Sequence, residues 1–452
     1  MKSKVDICGG PIFSGVIRYT IPVILTNILQ LLYNAADMAV VGHFCGSASI
    51  AAVGATGSLT SLLVNVFIGL STGAGVVVAH SIGARDSEGT KKAVHTSIAI
   101  SFVCGVIATL SGVFFSETLL GFMGTPDDIL PLSALYMKVY FGGMMVNVFC
   151  FFAGAIINAT GQTKKPLIYL SIAGVTNVVL NVLFVTVFNM NVEGVALATV
   201  LSQVISASLF LRDLLKRDDD CKLFIKKIKF HKAPLLKILG VGIPSGLQGS
   251  FFSLSNTITQ SAVNSFGSTV VSGNAAAASI EGFIYTSMNS FSQTTLTYTG
   301  QNMGAGKYER IKKALIACSV CVTVLGVVLG GAANLFGKPL LSIFITDSPE
   351  AISYGLERML VVCTPYCLCG IMECLSYTNR GMHHATASMI ISVFFACVFR
   401  ILWVNTMFKL PQFHSLKGLL VNFPISWFLC ILFQLALFIY SYKKLLKEKR
   451  PQ

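Results

Sequence analysis

Charge is what this sequence has least of. Asp, Glu, Lys and Arg together make up 12% of its 452 residues, against 54% hydrophobic, where an ordinary soluble domain is about 25% charged. So few charges cannot cover a water-facing surface, which excludes a soluble globular protein and makes lipid the solvent for most of the chain. Acids are scarcest, 19 against 33 bases. A cleavable signal peptide is not expected, because residues 1–11 are short and polar and the apolar run from Phe13 is too long for a signal h-region. No disulfide framework is expected either. Most of the thirteen cysteines lie inside apolar runs, where free Cys behaves as a small hydrophobe. Cys318-x-x-Cys321 has no second ligand pair, so it reads as packing. No channel filter motif is present, nor the clustered acids or His beside a large donor-binding loop that a membrane glycosyl- or acyltransferase requires. No enzymatic activity, cofactor or nucleic-acid partner is expected.

What the sequence has is length of apolar run. Spanning segments occur at about 14–42, 50–81, 92–115, 131–155, 166–188, 194–211, 236–263, 273–300, 314–336, 352–376, 386–408 and 418–442. Only helices and closed barrels satisfy their backbone in lipid, and runs of about 20 residues without strand alternation select helices. The expectation is an all-α polytopic protein with twelve transmembrane helices. With the N-terminus inside, 26 of the 33 basic residues fall on the cytoplasmic side, three on the outside and four within spans. That asymmetry places both termini in the cytoplasm of a plasma-membrane protein.

The halves repeat. Ile21-Pro22 recurs as Ile243-Pro244, Ile82-Gly83-Ala84 as Met303-Gly304-Ala305, Lys91-Lys92-Ala93 as Lys312-Lys313-Ala314, and Thr125-Pro126-Asp127 as Ser348-Pro349-Glu350, at offsets between 221 and 223 residues. Six spans per half give parallel repeats, an architecture that holds substrate between the halves near the bilayer midplane. The expected division is an N-terminal lobe over 1–211, a basic cytoplasmic linker over 212–235 and a C-terminal lobe over 236–452. Pro22 and Pro244 stand at equivalent places and invite kinks. The glycine and alanine runs Gly69–Ala79 and Gly273–Ala278 read as close helix packing.

An acid in the bilayer core costs at least about 2.5–3.5 kcal/mol, so three are informative: Asp37, Glu281 and Glu373. Each either binds a proton, cation or cationic substrate, or pairs with an intramembrane base such as Arg18, Lys138, Arg358 or Arg400. Asn177 and Asn181 share one helical face, and Thr199 lies on the following span. Such oxygen donors suit a hard cation or a proton relay, or else hydrogen-bond between helices.

The run from Ile21-Pro22 to Tyr33-Asn34-Ala35-Ala36-Asp37, then Val41-Gly42, resembles the first span of the multidrug and toxic compound extrusion (MATE) family. Gly300-Gln301-Asn302-Met303-Gly304-Ala305-Gly306 and Asn158-Ala159-Thr160-Gly161-Gln162 are similar to further family motifs. The resemblance covers essentially the whole chain and is closest to the prokaryotic branch with a first-span acid. It implies two six-helix lobes forming a V-shaped central cavity, and export of cationic or amphiphilic compounds by H⁺ or Na⁺ antiport. It implies a coupling site at Asp37, Asn177 and Thr199. Where members often carry a second acid, this chain has Asn181. Thr259-Gln260 stands where the other branch has a seventh-span acid. Glu281 and Glu373 are then the expected substrate contacts, and the partners are the bilayer and small cationic or amphiphilic compounds, with the protein a monomer. A lipid-linked precursor flippase of the same superfamily is the alternative. It is disfavoured because only four bases lie within spans.

Overall fold

The computed structural model describes residues 4–345 and 348–448. Among these, the long elements are α1 (Ile12–Cys45), α2 (Ala48–Gly83), α3 (Ser87–Phe122), α4 (Leu130–Gly142), α5 (Met144–Ala159), α6 (Lys164–Val187), α7 (Val192–Lys216), α8 (Lys232–Asn264), α9 (Ser268–Gly304), α10 (Tyr308–Leu335), α11 (Pro349–Cys363), α12 (Tyr366–Gly381), α13 (Ala385–Lys409) and α14 (Leu416–Glu448). Nine of the described helices are long and apolar enough to cross a membrane singly. Two more pass the same test as pairs, α4 with α5 bent by 48° and α11 with α12 bent by 43°. The 37-residue α9, at the place of the span expected over 273–300, carries Ser, Thr and Asn along much of its length and falls outside this set. The bent crossing is the fourth of each repeat. Pro365 stands at one break, where it lacks an N–H to donate to the preceding turn. Gly142-Gly143 breaks the other, which the sequence reading did not single out.

Helix starts follow ordinary capping chemistry. The Asp86 carboxylate accepts from Gly89 N–H at 2.8 Å to open α3, and Ser348 Oγ accepts from Ala351 N–H at 3.2 Å with Pro349 in the first turn of α11. Such caps supply a partner for backbone donors that have none within the helix.

Contacts divide the chain into two compact units. The first holds Ile21–Gly246 together with the described N-terminal residues up to Val5. The second holds Asp6–Thr20 and the chain from Leu247 onward. The sequence reading draws its boundaries in the polar linker, whereas packing groups residues across it. The boundaries fall next to Pro22 and Pro244, inside α1 and α8. Both prolines lie within continuous helix.

The first unit is built on close helix approach. Gly69 and Gly73 of α2 face Gly242 and Gly246 of α8, so closely that a methyl group on Gly69 would stand 2.1 Å from Gly246 N and one on Gly73 would stand 2.4 Å from Ile238 O. Small residues four apart on both helices are what permit this approach in lipid. Its buried core includes Phe141, Phe152, Ile156 and Phe210. The segment after α7 is pinned to this unit by ion pairs. Arg217 donates to Asp219 at 2.8 and 2.5 Å, to Asp213 at 3.2 Å and to Thr160 at 3.3 Å, and Lys165 pairs with Asp213. Phe224 N–H donates to His95 Nε2 at 3.1 Å.

In the second unit the N-terminal strap is held by the residues just after the Gly300–Gly306 motif. Arg310 donates to the carbonyls of Ile7 and Gly10 at 3.0 and 2.6 Å, and Lys307 to that of Cys8 at 2.9 Å. In α9, Gly273 lies against α11, where a methyl group would stand 2.1 Å from Ala351 O.

Candidate functional site

The four residues expected to form the ion site converge in the first unit. Asp37 comes from α1, Asn177 and Asn181 from successive turns of α6, and Thr199 from α7. Asn181 Nδ2 donates to Asp37 Oδ1 at 2.5 Å and to Asn177 Oδ1 at 3.3 Å. Asn177 Nδ2 donates to Thr199 Oγ1 at 3.3 Å, and Thr199 Oγ1 donates to Asp37 Oδ2 at 3.2 Å. The result is a closed ring of four side chains in which each carboxylate oxygen has one donor. The Thr199 hydroxyl also lies 3.0 Å from Val195 O. It carries one proton, so the carboxylate and the carbonyl compete for it. Asn177 and Asn181 are 4% and 0% exposed.

The register of α1 on α6 is set one turn before the carboxylate. Tyr33 Oη donates to Leu170 O at 3.1 Å, and its ring lies against Gly174, which has no side chain to obstruct it. Residues four apart share a helix face, so seating Tyr33 at Gly174 brings Asp37 to Asn177 and Asn181. The sequence reading quoted Tyr33 only as part of a motif and did not connect it with Gly174, the glycine one turn before Asn177.

One polar atom in this ring is left over. Asn181 Oδ1 is buried and has no hydrogen-bond partner. Buried carbonyl oxygens are seldom left so. With Asp37, Asn177 Oδ1 and Thr199 Oγ1 it makes an all-oxygen donor set with a single ionisable acid. Among the described residues no three His, Cys, Asp or Glu side chains come together as a metal-binding group. One carboxylate with neutral oxygens matches a proton or a monovalent hard cation better than a transition metal.

The other two acids lie in the second unit. Glu281 of α9 is paired: Arg358 of α11 donates to its Oε2 from Nη2 at 2.6 Å and from Nε at 3.2 Å, and Tyr366 Oη donates to its Oε1 at 3.1 Å. Arg358 Nη1 continues to Asn274 Oδ1 at 2.8 Å, and Asn274 Nδ2 to Gln260 Oε1 at 3.0 Å. Thus Gln260 contributes a neutral amide to this network. Glu373 of α12 is 5% exposed and makes no ion pair within 4 Å among the described residues; Arg380, on the same helix, is the charged group that acts on it. Of the four intramembrane bases, Lys138 pairs with Glu117 at 2.5 Å and Arg358 with Glu281.

The MatE family model matches residues 22–183 and 244–404, two stretches whose starts and ends are displaced by 222 and 221 residues, the spacing of the internal repeat. The chain is similar to "Probable multidrug resistance protein YoeA" of Bacillus subtilis (strain 168), 25% identical over 94% of this chain and 93% of that protein. It is also similar to "FAD transporter" of Shewanella oneidensis, 23% identical over 94% of each. A solved structure described as the outward-facing conformation of a multidrug resistance MATE family transporter of the MOP superfamily shares the fold, with a TM-score of 0.90 at 22% identity over 100% of this chain and 99% of that one.

Proposed function

This chain belongs to the MatE family of multidrug efflux transporters, and we propose that it is a secondary antiporter exporting cationic or amphiphilic organic compounds in exchange for H⁺ or Na⁺ taken up at Asp37. The observation that carries this reading is the closed ring of Asp37, Asn177, Asn181 and Thr199 with its one partnerless oxygen, Asn181 Oδ1. An entering proton or cation neutralises the single carboxylate. Either one rearranges the ring, because a protonated Asp37 becomes a donor and a bound cation recruits oxygens that now accept. An elementary charge crossing 100 mV carries about 2.3 kcal/mol, so one or two ions sustain a substantial gradient of exported compound.

In this reading residues 1–211 and 236–452 act as two lobes joined by 212–235. Both termini face the cytoplasm, and the transporter works as a monomer in the plasma membrane. Substrate contact falls to the acids of the second lobe. Glu373 carries no ion pair among the described residues, and Glu281 is available only when its pair with Arg358 opens. The relative named as a FAD transporter is a reason to hold the substrate class as wide as amphiphilic compounds rather than cations alone.

The test is gradient-driven efflux of ethidium from proteoliposomes, with Na⁺ or H⁺ imposed separately, for wild type and Asp37→Asn. Transport under one gradient, lost in the variant, supports the reading and names the ion. Transport that survives Asp37→Asn removes coupling from the first lobe.

A further inference from the structure

Two guanidinium groups in the second unit lie against one aromatic ring, and one of them is paired with a carboxylate. Arg358 Cζ lies 5.9 Å and Arg400 Cζ 4.2 Å from the centre of the Phe423 ring of α14. Glu281 serves Arg358. Arg400, on α13, is 4% exposed, and it donates from Nε to Ser426 Oγ at 3.0 Å. Among the described residues it has no carboxylate within 4 Å. Glu373 makes no ion pair with it, and Arg380, the charged group acting on Glu373, stacks on Tyr377 at 4.4 Å.

A guanidinium offers donors on all three nitrogens, in a planar fork that matches an oxyanion. At Arg400 the terminal nitrogens of that fork meet no protein acceptor among the described residues. Unlike Arg310 Nε and Arg380 Nε, they are also not among the sealed, partnerless polar atoms. A cation within the membrane is expected to pair or to face a water-filled cavity, and marks a functional position. Two guanidinium groups about one ring, with a single acid paired to one of them, leave this cluster one positive charge in excess.

We propose that Arg400 binds an oxyanion group, a carboxylate or phosphate, carried by the exported compound. The substrate class then extends to amphiphiles bearing an anionic group, including zwitterions. Phe423 supplies the apolar wall beside that group, and Ser426 holds the guanidinium in place through Nε. This inference rests on the export reading, but its test is an equilibrium one, so a failure of ion coupling at Asp37 leaves it standing.

The experiment uses a matched pair of dyes, rhodamine 110, which has a free carboxylate, and rhodamine 123, its methyl ester. Binding of each to the full chain in lipid nanodiscs is followed by fluorescence polarisation without an ion gradient. Wild type is expected to bind the free acid at least about tenfold more tightly, the size of one charge-assisted hydrogen-bond pair. Arg400→Gln is expected to erase that preference and to leave rhodamine 123 within about twofold of wild type. Arg400→Lys retains part of it, as a point charge without the fork. Equal affinities in wild type, or no binding of rhodamine 110, overturn the proposal without reference to any variant. Equal loss of both dyes in Arg400→Gln also overturns it, and makes Arg400 a packing residue. A rise in the wild-type melting temperature with sodium acetate, absent in Arg400→Gln and unaccompanied by any dye preference, gives the site to a free anion and overturns its assignment to substrate.

Discussion

The ring of Tyr33 occupies the space beside Gly174: a methyl group on that glycine would stand 1.6 Å from Tyr33 Cζ and 2.1 Å from its oxygen. Gly174→Ala therefore has to displace α1 from α6, and with it Asp37 from Asn181. Overpacking of this kind costs about 1–3 kcal/mol. We expect a lower melting temperature together with loss of gradient-driven ethidium efflux. Tyr33→Ala in the same chain relieves the overlap and should restore the melting temperature. Wild-type efflux in Gly174→Ala would show that this contact does not set the register.

Thr199→Val keeps the shape of the side chain and removes the hydroxyl that links Asn177 to Asp37. A hydrogen bond to a charged group is worth about 1.5–3 kcal/mol, and this one steadies the ion-free carboxylate, so with a proton as the coupling ion uptake should become about ten- to a hundredfold tighter. The readout is the ion concentration giving half-maximal efflux. An unchanged value would remove Thr199 from the site.

Glu281 and Arg358 should reveal themselves as a pair. Removing one partner leaves a buried charge uncompensated, at a cost of about 3–5 kcal/mol. Glu281→Gln and Arg358→Met are each expected to destabilise the protein strongly, and the double replacement less than their sum. Additive losses in thermal unfolding would mean that the two do not interact.

Outside the membrane the charge network at Arg217 gives a pH signature. Burial alone would raise the Asp219 carboxyl, but the hydrogen bond and charge of Arg217 outweigh it and hold it below its ordinary value of 3.8. A depressed folded-state value contributes stability above the unfolded value, and the contribution is lost as pH falls through the folded one. Wild type should thus be the more stable of wild type and Asp219→Asn at pH 7. Their melting temperatures should draw together as the pH falls below the ordinary value of 3.8. A difference that is constant with pH would rule this out.

Much of this was legible in the residues. Asn177 and Asn181 announce a shared face by their spacing, and Asp37 announces itself as an acid in an apolar run. Their meeting with Thr199 followed from the family resemblance and is what the structure brings together. The partner of Glu281 was less legible. Arg358 stood among four candidate bases, and the choice depends on a contact across 77 residues of sequence, which no local pattern encodes. The same holds for Asp6–Thr20, which packs with residues near 300 although it opens the first repeat. The polar linker marks where the chain changes composition; packing follows the helices, and two of these cross from one unit to the other.

The polarity of α9 has a consequence for how the protein is made. Most of its residues from Ser287 to Asn302 are buried, many of them Ser, Thr and Asn, and the helix packs on α10, α11 and α12. Before those helices emerge from the ribosome, those hydroxyls and amides have only the earlier chain to meet, as where Tyr19 bonds Thr297 and Thr20 bonds Thr294. Hydropathy alone is thus a weak anchor for α9, and its buried polar face is completed by helices synthesised after it.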